Sequence, residues 1–264
     1  MMKKEQNFSV LNCNRISSHI RHKISTYQPM EILMKLKRLM RFLSVTITLL
    51  STCYSLGNTN ACNNVLTEPM SITLQPSIIQ NEEMPFYTHK GDGPFDTTLA
   101  MNISYEPVLN LRRILEQTLD LKLKFLTAWN PAGEGHITTV TPPEYYNVLR
   151  PFISAEKMEE IALTHNIQAS DVKILGLGRG EKEINGKIEQ TFFLIAYSEN
   201  LLRIRTEIYD EFVKNGGNPD SWNPNKFYPH ITIGYTNKDL HESDGILKDV
   251  EHSLDNRFQI IIGQ

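Results

Sequence analysis

The tripeptide His136-Ile137-Thr138 occurs a second time as His230-Ile231-Thr232, and each copy begins a stretch, HITTV or HITIGY, with the composition of a β-strand. Side chains of a strand alternate between its two faces, so each histidine shares a face with the threonine two residues later. The isoleucine between them points to the opposite face, where a core can take it. Two such surfaces brought together would place two imidazoles and two hydroxyls around one small anion.

The residues that precede the two copies are also similar. Trp129-Asn130-Pro131 stands seven residues before His136, and Trp222-Asn223-Pro224 stands eight residues before His230. These are the only two tryptophans of the chain. The repetition predicts two similar halves, each of which leads from a loop into one of the strands. The alternative is a loop-to-strand entry that recurs by coincidence.

The paired residue types favour acid–base chemistry on a phosphodiester. One neutral imidazole can accept a proton while a second, protonated imidazole donates one, and the hydroxyls of Thr138 and Thr232 can hold the phosphate. In a second interpretation, each histidine is a partly buried strand residue with a backbone partner. In a third, the two histidines bind a metal ion. This last is disfavoured because no carboxylate or cysteine lies beside either one at ligand spacing, and threonine is a poor ligand.

Four longer stretches carry a resemblance to a known family. They are HITTVTPPEY (136–145), GLGRG (176–180), FYPHITIG (227–234) and DLHESDG (239–245). The two H-x-T motifs on strands resemble those of the two-histidine (2H) phosphoesterase superfamily. The longer stretches around them resemble its Swiss Army Knife, RNA-repair-like branch. The resemblance covers roughly residues 95–264 and implies a bilobal α+β fold and a metal-independent site between the lobes. It also implies cyclic-phosphate or RNA-end substrates.

The first part of the chain differs in charge from the rest. Residues 1–41 carry nine Lys or Arg and two Glu, a net charge of +7, whereas the whole chain carries −3. The body of the protein is therefore acidic, and we expect it not to bind long nucleic acid through a basic surface.

Residues 40–61 resemble a signal peptide, with Arg41 before an apolar run and Thr59-Asn60-Ala61 as a small-residue cleavage site. The apolar run is too short to span a bilayer, so no stable membrane span is expected in the mature chain. We predict a basic leader at 1–39, which is untranslated if Met40 is the true start, then the signal peptide, a linker at 62–94 and the domain at 95–264. Export follows if the signal peptide is real; otherwise the protein is cytoplasmic. An uncleaved anchor or a disordered basic tail are the alternatives.

Strands and helices alternate along the body. Helix starts are indicated by Glu106-Pro107 and by the N-caps Ser154 and Ser198, and Asn185-Gly186 indicates a hairpin turn. The order predicts an α+β, bilobal fold with mostly antiparallel sheets, helices packed outside, and the two H-x-T strands facing a central cleft. The predicted strands are 71–74, 97–104, the two H-x-T runs, 171–178, 191–197 and 258–262; a short helix is predicted near 245–254, and 121–129 is left as a helix extension or a strand.

Several further side chains are candidates for substrate contact. Arg179 and Tyr228 are predicted at the mouth of the cleft, and Trp129 and Trp222 are candidates for stacking on a base or sugar. For each tryptophan, the alternative is a core position. His241 lies in a stretch that either forms a capped turn, which we favour, or binds a divalent ion. His89, His165 and His252 have no partner motif and are predicted to be solvated.

The sequence thus predicts a metal-independent phosphodiesterase without a cofactor. Its expected substrate is a 2′,3′-cyclic phosphate or a related small nucleotide or RNA end, and its expected state is a monomer. The alternative is a module that binds phosphorylated nucleotide or RNA ends without turnover. A shared phosphate requires ring nitrogens of His136 and His230 within roughly 4–8 Å of each other across an open cleft, with Ile137 and Ile231 buried behind it, one in each lobe.

Overall fold

The computed structural model describes residues 68–87, 89, 90 and 95–264. The predicted leader and signal peptide lie outside these residues, so export stays a prediction. In the described part of the chain, no helix is long and apolar enough to cross a membrane. The strands are β1 (Met70–Leu74), β2 (Leu99–Ile103), β3 (Gly135–Val140), β4 (Lys173–Ile184), β5 (Lys187–Tyr197), β6 (His230–Tyr235) and β7 (Phe258–Ile262). The longer helices are α1 (Tyr105–Leu119), α2 (Ala155–Thr164) and α3 (Glu199–Lys214). Short helical turns lie at Pro76–Ile78, Pro142–Glu144, Tyr145–Leu149, Ile167–Ala169, Pro219–Ser221, Glu242–Asp244 and Val250–Ser253.

A five-stranded sheet in the order β2-β3-β6-β5-β4 forms the centre of the fold, and all its neighbouring strands are antiparallel. The predicted α+β, mostly antiparallel fold is therefore confirmed. Both H-I-T strands lie in this one sheet as neighbours, and Ile137 pairs with Ile231. The two isoleucines predicted to lie in separate lobes thus meet at the seam between β2-β3 and β6-β5-β4.

Local sequence explains the elements that flank the seam. Asn185 and Gly186 join β4 to β5 with φ angles of 54° and 74°, the left-handed pair that a tight hairpin turn requires. Ser154 and Ser198 cap α2 and α3, since their side chains accept hydrogen bonds from the backbone N–H of Lys157 and Leu201. The apolar stripe of α3 is fully buried, as predicted: Leu201, Ile204, Ile208 and Phe212.

The segment predicted to be a linker is partly folded. Residues 70–74 form β1, which pairs in parallel with β7, and Ile72, Leu74 and Ile78 enter the core. The strand predicted at 71–74 is therefore present, whereas its parallel pairing with so distant a segment has no local sequence pattern. Two other elements are shorter than predicted: the last helix is a single turn at Val250–Ser253, and residues 121–129 contribute one bridge, from Lys124 to Tyr235.

A buried arginine connects the two halves of the sheet on the helical side. Arg205 of α3 is 1% exposed and donates to the carbonyl oxygens of Thr139 at 2.6 Å and Pro224 at 2.8 Å. It also donates to Glu144 Oε1 at 2.8 Å, which accepts from Trp222 Nε1 at 2.9 Å. Burial alone would raise the pKa of Glu144, but Arg205 holds that pKa below its usual range. The network ties the end of β3 to the loop that enters β6.

Candidate functional site

The register between β3 and β6 places the repeated residues on one face of the sheet. Because Ile137 pairs with Ile231 in an antiparallel pair, His136 lies across from Thr232, and Thr138 lies across from His230. The two histidines are diagonal neighbours, for which a spacing of about 7–8 Å is typical. Ile137 and Ile231 are both 0% exposed on the opposite face, as predicted.

The hydrogen bonds of His230 fix its tautomer. Its Nδ1 lies 2.8 Å from the carbonyl oxygen of Tyr228, and because a carbonyl can only accept, Nδ1 carries the proton. Nε2 therefore keeps its lone pair and accepts from Lys248 Nζ at 3.1 Å. Burial, then the charge of Lys248, lowers the pKa of His230 to about 3. In the free protein His230 is a neutral imidazole whose basic nitrogen faces a cation.

Asp239 is the anion at this end of the site. Its Oδ1 accepts from Lys248 Nζ at 3.1 Å and from Thr191 Oγ1 at 2.7 Å, and its Oδ2 accepts from Thr232 Oγ1 at 3.4 Å. Burial would raise the pKa of this carboxyl, but the charge of Lys248, aided by that of His241, lowers it. One of the two repeated threonines is thus already hydrogen-bonded within the protein.

His136 lies in an aromatic setting. Its side chain is 11% exposed, and its ring centroid is 5.2 Å from that of Trp129 and 5.3 Å from that of His89. Its Nδ1 is 3.9 Å from Glu134 Oε1, too far for a hydrogen bond, and both atoms are buried without a hydrogen-bond partner. Burial, then the nearby His89, lowers the pKa of His136 to about 3. The charges of Asp239 and Lys248 act on His136 as well as on His230, so the two imidazoles share one electrostatic environment.

Comparison with known families identifies the superfamily of the domain. The family model of the Swiss Army Knife 2H phosphoesterase domain matches residues 97–241, which is more than half of the chain. The chain belongs to the 2H phosphoesterases. No curated protein and no solved structure matches it significantly. The matched range holds both H-I-T copies and Asp239, whereas Lys248 lies beyond its end.

The other predicted substrate contacts of this 2H phosphoesterase lie in three different settings. Trp129 packs against His136, and Tyr228 supplies the carbonyl that orients His230. Trp222 is 6% exposed and belongs to the core, where it bonds to Glu144. Arg179 forms an ion pair with Glu181 at 3.3 Å. Across β4 and β5 it lies opposite Phe192, whereas the ring near His230 belongs to the next residue, Phe193.

The prediction that His89 is solvated is wrong. Its side chain is 2% exposed, its Nε2 lies 2.8 Å from Asn102 Oδ1, and its ring centroid is 3.8 Å from that of Trp129. His89 and Trp129 pack against His136, which is why the side chain of His136 is only 11% exposed. His165 and His252 instead pair with the carboxylates of Glu207 and Asp249.

Three residues of the site were missed by the sequence reasoning. Glu134 stands two residues before His136, so strand alternation could have found it. Asp239 lies in a stretch that was singled out for His241, which in the structure begins the capped turn that we favoured. Lys248 has no local signal at all. Among residues 68–87, 89, 90 and 95–264, no group of three or more His, Cys, Asp or Glu side chains is arranged to hold a metal ion.

Proposed function

We propose that this 2H phosphoesterase hydrolyses a 2′,3′-cyclic phosphate or a related small nucleotide or RNA end without a metal ion. The observation that carries the proposal is the β3–β6 register, which sets two imidazoles and two threonine hydroxyls on one face. Two imidazoles at diagonal positions can serve the attacking and the leaving oxygen of one phosphorus.

The surroundings of each histidine suggest a division of roles. His230 has its proton on Nδ1 and a lone pair on Nε2, so we assign it as the base that takes the proton of the attacking water. Glu134 Oε1 lies 3.9 Å from His136 Nδ1, and an ionised carboxylate at this position would stabilise the ring once it is protonated. We therefore assign His136 as the acid that protonates the leaving ribose oxygen.

Conversion of 2′,3′-cyclic AMP, followed by chromatography, tests the proposal. Conversion to a monophosphate supports an enzyme. Retention without conversion supports the second candidate, a module that binds phosphorylated ends. That candidate is favoured by one observation: the basic nitrogen of His230 is engaged by Lys248 in the substrate-free protein.

Acidic conditions should favour the reaction. Both histidines have a pKa of about 3, so near neutral pH both are uncharged in the free enzyme. The acid must be protonated, and its charged fraction falls about tenfold for each pH unit above its pKa. We expect kcat/KM for 2′,3′-cyclic AMP to fall steadily from pH 5 to pH 8. A profile that rises over this range contradicts the role of His136, and stability over the same range is checked by circular dichroism.

Activity should not depend on divalent ions. Neither H-I-T strand brings a set of metal ligands, so dialysis against EDTA should change turnover less than about twofold. The measurement is the rate before and after dialysis, with zinc, manganese and magnesium added back separately. A loss that one of these ions restores would move the mechanism to metal-assisted hydrolysis.

A further inference from the structure

Lys248 is a buried cation that the family match does not include. Its residue is 3% exposed, and it lies seven residues beyond the end of the matched range. A buried ammonium is costly unless it is paired, and here burial lowers the pKa of Lys248 even though Asp239 opposes the shift. Such a group, aimed at a histidine of the site, calls for a function.

The partners of Lys248 are unequal. Asp239 is a carboxylate and forms a charge-assisted hydrogen bond with Nζ at 3.1 Å. His230 is neutral and offers one lone pair, also at 3.1 Å. Nζ also lies 5.2 Å from the ring centroid of Phe193. An anion that approached Lys248 would be a stronger acceptor than the imidazole, whereas it would not displace the carboxylate.

A pocket adjoins Lys248. This pocket of about 470 Å³ is lined by Lys248 together with the aromatic residues Tyr197, Phe227 and Tyr228 and the apolar Ile195. Ile195 pairs with His230 across β5 and β6, and Tyr228 and Pro229 also line the pocket, so it borders the start of β6. Lys248 thus lines this pocket and also donates to the basic nitrogen of His230.

We propose that Lys248 binds the phosphate of the substrate, and that in the substrate-free protein His230 and Asp239 hold it in place. When a phosphate binds, one hydrogen bond donated by Lys248 Nζ shifts from His230 Nε2 to a phosphate oxygen. The hydrogen bond from Nζ to Asp239 remains. The exchange frees the lone pair of His230 for proton transfer, so binding of the anion and release of the base are coupled. The phosphoester nature of the anion rests on the proposed function, but the binding step does not require turnover.

The test is a titration with inorganic phosphate, followed by NMR of the histidine rings. In the wild type, phosphate should shift the Nε2 resonance of His230, and His230 should be the Nδ1–H tautomer before addition. Lys248→Met should weaken phosphate binding about 10–100-fold, the range for losing one charge-assisted hydrogen bond, whereas Lys248→Arg should remain within about fivefold of wild type. The matched control is Lys238→Met, a 53% exposed lysine paired with Asp244, which should bind phosphate as the wild type does.

Lys248→Met leaves the buried carboxylate of Asp239 without the cation that pairs with it. The folding of this variant is therefore checked first by circular dichroism and thermal melting. If it does not fold, Asp239→Asn/Lys248→Met, which keeps the site neutral, is titrated in its place. A folded variant that binds phosphate with wild-type affinity overturns the proposal, as does a wild type whose His230 resonances do not respond to phosphate.

Turnover separates the two proposals. If Lys248 governs phosphate binding but no cyclic phosphate is hydrolysed, the inference about Lys248 stands and the proposed function fails. If Lys248→Met hydrolyses 2′,3′-cyclic AMP with unchanged kcat and KM, the proposed function stands and the inference fails.

Discussion

His136→Ala and His230→Ala should each lower the turnover of 2′,3′-cyclic AMP by about 10²–10⁴, the contribution typical of one positioned acid or base. The isoleucines of the two strands lie on the other face of the sheet, so neither substitution removes packing from the core behind it, and His136→Ala removes only the ring contacts with Trp129 and His89. Both variants should therefore fold. The measurements are kcat and KM at several pH values, with thermal melting to verify the fold.

His165→Ala is the matched control for this loss. His165 follows α2 and pairs with Glu207, and it contributes nothing to the strand face. The activity of the His165→Ala variant should therefore stay within about twofold of wild type. If one of the two site variants keeps near-wild-type activity while the other is inactive, the two-histidine mechanism fails, and a single-histidine reaction has to be considered.

Arg205→Met should lower the free energy of unfolding by about 3–5 kcal/mol, because removal of one partner leaves Glu144 as an uncompensated, largely buried charge. The change also leaves the carbonyl oxygens of Thr139 and Pro224 without their donor. Urea unfolding at neutral pH measures the effect. Since these carbonyls lie at the end of β3 and before β6, activity per folded molecule should also fall.

Lys214→Met is the control on the same helix. Lys214 is 72% exposed in its pair with Glu211, and exposed pairs contribute about 0–1 kcal/mol. A loss of less than about 1 kcal/mol in Arg205→Met would contradict the structural role of the buried network. Combining Arg205→Met with Glu144→Gln should recover part of the stability, because the unpaired charge is removed as well.

Short-range patterns in the sequence determined which residues could form the site. Alternation along a strand assigned His136 and Thr138 to one face and Ile137 to the other, and the same holds for the second copy. The hairpin at Asn185-Gly186 and the caps of α2 and α3 were also predictable, because a left-handed turn or a capping hydroxyl depends on one or two neighbouring residues.

The tertiary structure alone decided what surrounds those residues. Strand pairing brings β3 beside β6 and β1 beside β7, and the chain then places Lys248 on His230 and His89 over His136. Such contacts join residues far apart in sequence, so no periodicity within either segment predicts them. Burial also depends on distant segments. Each site histidine has a pKa of about 3 because such segments exclude water from it, and the local sequence does not predict which segments these are.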